Sequence, residues 1–128
     1  MNLLVQISAG ELLDKLTILE IKRENIADDA KTANVAREYA ALSEVVEREI
    51  GADPEISWLR AELKEINAEL WRIEDDIRDR ERQASFGAEF IALARAVYRT
   101  NDRRAELKRR INLVTRSDLI EEKSYAPY

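Results

Sequence analysis

Between Ile56 and Ile77 the residues Ile56, Leu59, Leu63, Ile66, Leu70, Ile73 and Ile77 recur at alternating steps of three and four without a break. Side chains at that spacing line one stripe of a helix, so this stretch predicts a long helix packed at a shallow angle on a long partner. Asp53-Pro54 opens it, with Asp as N-cap and Pro at the first helical position. Trp58 and Trp71 flank the seam, and the polar run closing on Asp79-Arg80-Glu81-Arg82-Gln83 reads as the exposed tip of a hairpin.

Ser85-Phe86-Gly87 reads as the turn to the partner helix. That helix carries Phe86, Phe90, Leu93, Val97, Leu107, Ile111 and Val114 on one stripe, with Thr100 and Arg104 standing where core residues belong. Tyr98, Asn101, Lys108 and Asn112 on the same side are polar too. Each of these two helices covers roughly 25 residues, or about 40 Å. After Thr115 the period fails; Ser117-Asp118 predicts a cap for a short last turn with Leu119 and Ile120, and Glu121-Glu122-Lys123-Ser124-Tyr125 an extended run over the bundle.

Toward the start, Met1 to Ile7 is a short apolar arm in which Leu3, Val5 and Ile7 alternate. Ser8-Ala9-Gly10-Glu11 fits a capping box, in which Ser8 takes an orphan amide and Glu11 reaches back to the Ser8 N–H. Leu12, Leu16, Leu19 and Ile26 follow at helical spacing, widened by Leu13, Ile18 and Ile21, and the helix is expected to end near Asp28-Asp29-Ala30. So many apolar positions predict contacts on more than one side. A second helix is expected from about Thr32 to Ile50, capped by Thr32 or Asn34, buried through Val35, Tyr39, Leu42, Val46 and Ile50, and closed by Gly51. Short connections make successive helices antiparallel. The expectation is an all-α, antiparallel helical bundle of four main helices over residues 1–128 as a single domain, with long coiled-coil-like third and fourth helices and a short extended C-terminal tail.

Composition narrows the chemistry. The chain has no Cys and no His, which removes thiol nucleophiles, disulfides, thiolate metal sites and the usual general base. An all-carboxylate Mg²⁺ or Ca²⁺ site is left open by this composition, but no EF-hand loop is present, and no metal site and no cofactor are assigned. A formal net charge of −5 argues against a nucleic-acid binder. No run reaches transmembrane length and nothing resembles a signal peptide, so the expected setting is cytoplasmic, without membrane insertion.

Charge is nonetheless uneven. Arg95, Arg99, Arg103, Arg104, Lys108, Arg109, Arg110 and Arg116 face only Asp102 and Glu106 within their segment. Asn101, Asp102, Arg104, Lys108 and Arg109 form a polar cluster within three helical turns, which Asp14, Lys15, Glu74 and Lys123 are placed to complete from other elements. One reading is a ligand-binding patch for an anion, with Arg as a planar fork and Lys as a point charge. The other is a polar network that fixes helix register, with Asp14, Glu74, Asp75 or Glu122 neutralising Arg104 and Lys108. No residue is singled out as catalytic, because adjacent Glu74 and Asp75 point apart on a helix.

Two stretches, ISAGELLDKLTILEIKRENI from Ile7 and FIALARAVYRTNDRRAELKRRIN with SDLIEEKSY from Phe90 to Tyr125, together resemble an uncharacterised family of small bacterial helical proteins, a domain of unknown function. Trp71-Arg72-Ile73-Glu74-Asp75 is similar to that family's third-helix motif. The resemblance implies no reaction. It implies gene neighbours concerned with surface polysaccharides and glycosyl transfer, sometimes with tetratricopeptide repeats. The resulting expectation is an accessory or interaction protein, as a homodimer or with a protein partner. The alternative is a protein that binds or acts on an anionic small molecule, such as a nucleotide sugar or sugar phosphate, through Arg104 and Lys108.

Overall fold

The computed structural model describes residues 1–128 and is all-α. Four helices hold 73% of the residues and there is no strand. They are α1 (Ala9–Asn25), α2 (Asp29–Glu49), α3 (Pro54–Arg82) and α4 (Ala88–Val114). No helix is long and apolar enough to cross a membrane.

Local chemistry explains the boundaries. The Ser8 hydroxyl accepts from the Glu11 N–H at 3.1 Å, as a helix N-cap should. The reciprocal half of the capping box does not form, because the Glu11 carboxylate is taken by Lys15 and Lys108. The α1–α2 boundary lies earlier than the sequence reading placed it. Asp28 belongs to the second helix as its N-cap, accepting from the Lys31 N–H at 2.9 Å, while Ile26 turns extended and ends α1. Gly51 takes the left-handed φ of +70° just beyond α2. Asp53 caps α3 by accepting from the Glu55 and Ile56 amides at 2.8 and 3.1 Å.

The two long helices end alike. Ala84 and Arg116 are left-handed, with φ of 51° and 55°. Each is followed by an amide that bonds five residues back, Ser85 to Arg80 and Ser117 to Asn112. Gly87 is therefore not the left-handed residue of the turn; it sits at the N-cap of α4 with φ −82°. Leu119 and Ile120 do not form the expected helical turn, since residues 118–128 carry no regular secondary structure and the Ser117 hydroxyl donates to the Leu119 carbonyl at 2.8 Å.

α1 packs against each of the other three helices. Leu12, Leu13 and Leu16 meet Val46 from α2, Leu59 and Leu63 from α3 and Ile111 from α4 in one buried cluster. Nearly complete burial of each such side chain contributes about 1.5–3 kcal/mol. The α3 seam is spent inside the protomer, because Ile56, Leu59, Leu63, Ile66, Leu70 and Ile73 are all buried there. The wide apolar stripe of α1 is spent in the same way. Beyond this core the far halves of α3 and α4 are thin. No residue of α4 before Thr100 is fully buried, and Phe86 and Ile91 are exposed.

Candidate functional site

Two of the polar positions of α4, Lys108 and Asn112, sit where the helix meets α1. Gly10 makes that contact close. A Cβ there would lie 2.5 Å from the Lys108 carbonyl oxygen and 2.9 Å from Asn112 Oδ1. The Gly10 N–H instead donates to Asn112 Oδ1 at 2.7 Å, a buried hydrogen bond that satisfies an orphan amide of the first turn of α1. One turn further along α1, Asp14 and Thr17 are buried against α3. Asn67 donates to Asp14 Oδ1 at 2.9 Å and to the Thr17 hydroxyl oxygen at 3.0 Å. The Thr17 hydroxyl donates to the Asp14 carbonyl at 2.9 Å. No buried side-chain polar atom in the chain lacks a partner, as a buried network requires.

Lys108 joins this network to the surface. It donates to Glu11 at 2.7 Å and to Glu121 at 3.1 Å, and lies 3.9 Å from Asp14 Oδ2. Burial opposes its charge, but the Glu11 and Glu121 hydrogen bonds and the Asp14 charge outweigh that, and its pKa rises above the usual lysine value. Glu121 moves the other way, held below the usual carboxylate range chiefly by its hydrogen bond from Lys108. Lys15 joins only through Glu11, at 3.8 Å from its carboxylate.

Three carboxylates thus enclose one lysine. The surroundings of Lys108 are anionic and do not attract a further anion. No three or more carboxylates of the chain are grouped as ligands of a metal ion would be. The neutralising partners differ from those the sequence suggested. Lys108 finds Asp14 as expected, but with Glu11 and Glu121 beside it. Glu122 instead accepts from Arg109 at 3.1 Å, and Glu74 is held by Arg78 on its own helix at 3.2 Å, apart from the cluster.

The remaining predicted residues lie on a neighbouring face of α4. Asn101, Asp102, Arg104 and Lys123 line a concavity of about 650 Å³ together with Tyr98 and Tyr128. The Tyr128 hydroxyl donates to Asp102 at 2.5 Å, and this bond is the main reason its pKa is raised. Its ring meets Tyr98 edge-on at 5.1 Å. Lys123 pairs with Glu121 at 3.7 Å, whereas Arg104, half-buried, has no carboxylate within ion-pair distance. Asn101 and Arg104 therefore face a different space from Lys108.

Sequence reasoning did not single out Gly10, Thr17 or Asn67 as members of the network. Their one visible signal is a small or polar residue inside an apolar stripe: Asn67 beside Ile66 and Leu70, Thr17 beside Leu13 and Leu16.

No curated protein and no solved structure matches the chain. One family model does, over residues 3–128. That match takes in α1, both long helices and the segment that closes on Lys108, so the whole arrangement lies within it, and the chain belongs to the family of unknown function DUF6165.

Proposed function

We propose that this protein is a non-catalytic accessory module that works by binding protein, as a homodimer or with a partner. The carrying observation is the apolar arm. Leu3, Leu4 and Val5 are 77, 100 and 77% exposed, although an isolated apolar segment gains by burial. Val5 and Ile7 line a concavity of about 890 Å³ together with Leu12, Val45, Ile50 and Ile56. The α3 seam, fully used within the protomer, is not available for this purpose. The gene neighbourhood that the resemblance implies is the ground for seeking the partner among cytoplasmic enzymes of bacterial surface-polysaccharide assembly.

In this reading α3 and α4 run antiparallel as a coiled-coil-like pair. Support comes from the ion pairs Glu55–Arg110, Glu69–Arg103 and Arg80–Glu89, whose numbers converge toward the turn. Residues 118–128 are a tail lying back along α4. Support comes from contacts of Glu121 with Lys108, Glu122 with Arg109 and Tyr128 with Asp102.

Analytical ultracentrifugation of the full chain beside Leu4→Asp/Val5→Asp tests the module. Concentration-dependent dimerisation, or capture of one glycosyltransferase-like partner, that the double variant loses supports it. A chain that stays monomeric and captures nothing at any concentration sinks it.

One observation favours a second reading. Arg104 is an unpaired guanidinium in the tyrosine-walled concavity, and a nucleotide sugar or sugar phosphate is the class of ligand it suits. Arg104→Ala would then abolish a thermal shift caused by such a ligand and leave the fold unchanged. A shift that survives the substitution counts against it.

A further inference from the structure

A third face of α4 carries charge that nothing above explains. Arg95, Arg99 and Arg103 stand at successive steps of four, so their side chains leave one side of the helix and span about 12 Å along its axis. They line a concavity of about 420 Å³ whose opposite side holds Glu69 of α3. Glu69 pairs with Arg103 at 3.2 Å. Arg95 and Arg99 have no carboxylate within ion-pair distance, whereas Lys108, Arg109 and Arg110 on the same helix are all paired.

Thr100 forms part of the same lining and is only 3% exposed. Its hydroxyl makes no side-chain hydrogen bond within the chain, yet it is not among atoms sealed from solvent without a partner, of which there are none. The hydroxyl therefore keeps access to the concavity. A nearly buried donor without a protein partner, beneath unpaired guanidinium groups, is the composition of a binding site rather than of a solvated helix face.

We infer that the concavity between α3 and α4 binds a small molecule carrying a diphosphate group, held by Arg95, Arg99 and Arg103 with Thr100 at its floor. Guanidinium forks match phosphate oxygens two at a time. Three forks along one side of a helix offer more donors than a single phosphate engages two at a time, and suit two phosphates that are linked. Ala92 and Ala96 on the same lining leave room beside the backbone for the rest of the ligand. The volume falls within the roughly 300–1,000 Å³ of small-molecule sites. A net charge of −5 weighs against a long polyanion such as duplex nucleic acid. The inference uses neither the apolar arm nor Arg104, so it stands or falls apart from the readings above.

The test is calorimetric titration of the full chain with inorganic pyrophosphate at low ionic strength, with the fold of each variant checked by circular dichroism. Saturable one-to-one binding is expected, weakened roughly tenfold by Arg95→Gln or Arg99→Gln and about fivefold by Thr100→Val. Arg37→Gln on α2 is expected to leave it unchanged. Absence of saturable binding overturns the inference, as does equal loss in Arg37→Gln. Orthophosphate binding as tightly as pyrophosphate would remove the diphosphate assignment. A short DNA duplex that displaces pyrophosphate through the same arginines would replace the small molecule with nucleic acid.

Discussion

Lys108 and Arg99 lie on one helix, nine residues apart, and meet opposite surroundings. Lys108 is enclosed by Glu11, Asp14 and Glu121. Arg99 opens onto a concavity with two other arginines and one glutamate. The first cation is consumed by the fold and the second is left over. The comparison shows that a cluster of charged residues is defined by what other elements bring to it. Lys108 acquires partners from the start of α1 and from the segment beyond α4; Arg95 and Arg99 acquire none.

The largest expected effect breaks the Lys108 side of this comparison at its backbone. Gly10→Ala places a Cβ against the Asn112 side chain and against the Lys108 carbonyl, and the carbonyl, being backbone, cannot retreat without parting α1 from α4. A loss of about 3 kcal/mol is expected by urea denaturation. A loss of only a few tenths would show that the helices separate freely there.

Next comes Asn67→Ala, which strips Asp14 and Thr17 of their shared donor. About 2 kcal/mol should be lost, as for a buried acceptor left without a partner. The corresponding change on the other side, Arg99→Gln, is expected to alter stability by no more than about 0.5 kcal/mol.

The helices were legible because their cause is local. The α3 ladder, the Asp53-Pro54 start and the Ser8 cap each depend on residues within a turn or two of one another. The α1–α2 boundary was misread because Asp28 suits either a helix end or a cap, and only the Lys31 amide decides between them. The network was legible in Lys108 and Asn112 of α4 and in Asp14 of α1, but not in the residues that join them. Glu11 lies 97 residues from Lys108, and Asn67 lies 53 from Asp14. No spacing rule links such pairs. Gly10 looked like an unremarkable part of a capping sequence, and its importance comes from the close approach of another helix.

Titration gives the smallest effects and separates the two sides again. The folded pKa of Lys108 is raised. Its contribution is therefore complete below the unfolded lysine pKa of about 10.4 and is lost as pH rises through the higher folded value. Lys64 adds to the same limb, its pKa raised by the hydrogen bond to Glu24 ahead of the opposing burial and the contributions of Glu20. Lys108→Met should shrink the alkaline loss of stability, and Arg99→Gln should leave it intact, because arginine does not titrate there. At the acid end the folded pKa of Glu121 is lowered. Its contribution is present above about pH 4.3 and fades as pH falls through the folded value. Glu121 is half-exposed, so less than about 1 kcal/mol is at stake. Equilibrium melts from pH 3 to 11 on the three proteins would show both limbs.

The Lys108 cluster ties α1, α4 and the chain beyond α4 together, while the arginine face has no such role. The most direct measurement is urea denaturation of Lys108→Met and Arg99→Gln beside the unaltered chain. Lys108→Met leaves Asp14 buried without its cation and should lose about 2–3 kcal/mol, at the low end for a broken buried pair because Glu11 and Glu121 still reach water. Arg99→Gln should superimpose on the unaltered chain. Equal midpoints for all three would contradict the account, since Lys108 would then be as spare as Arg99.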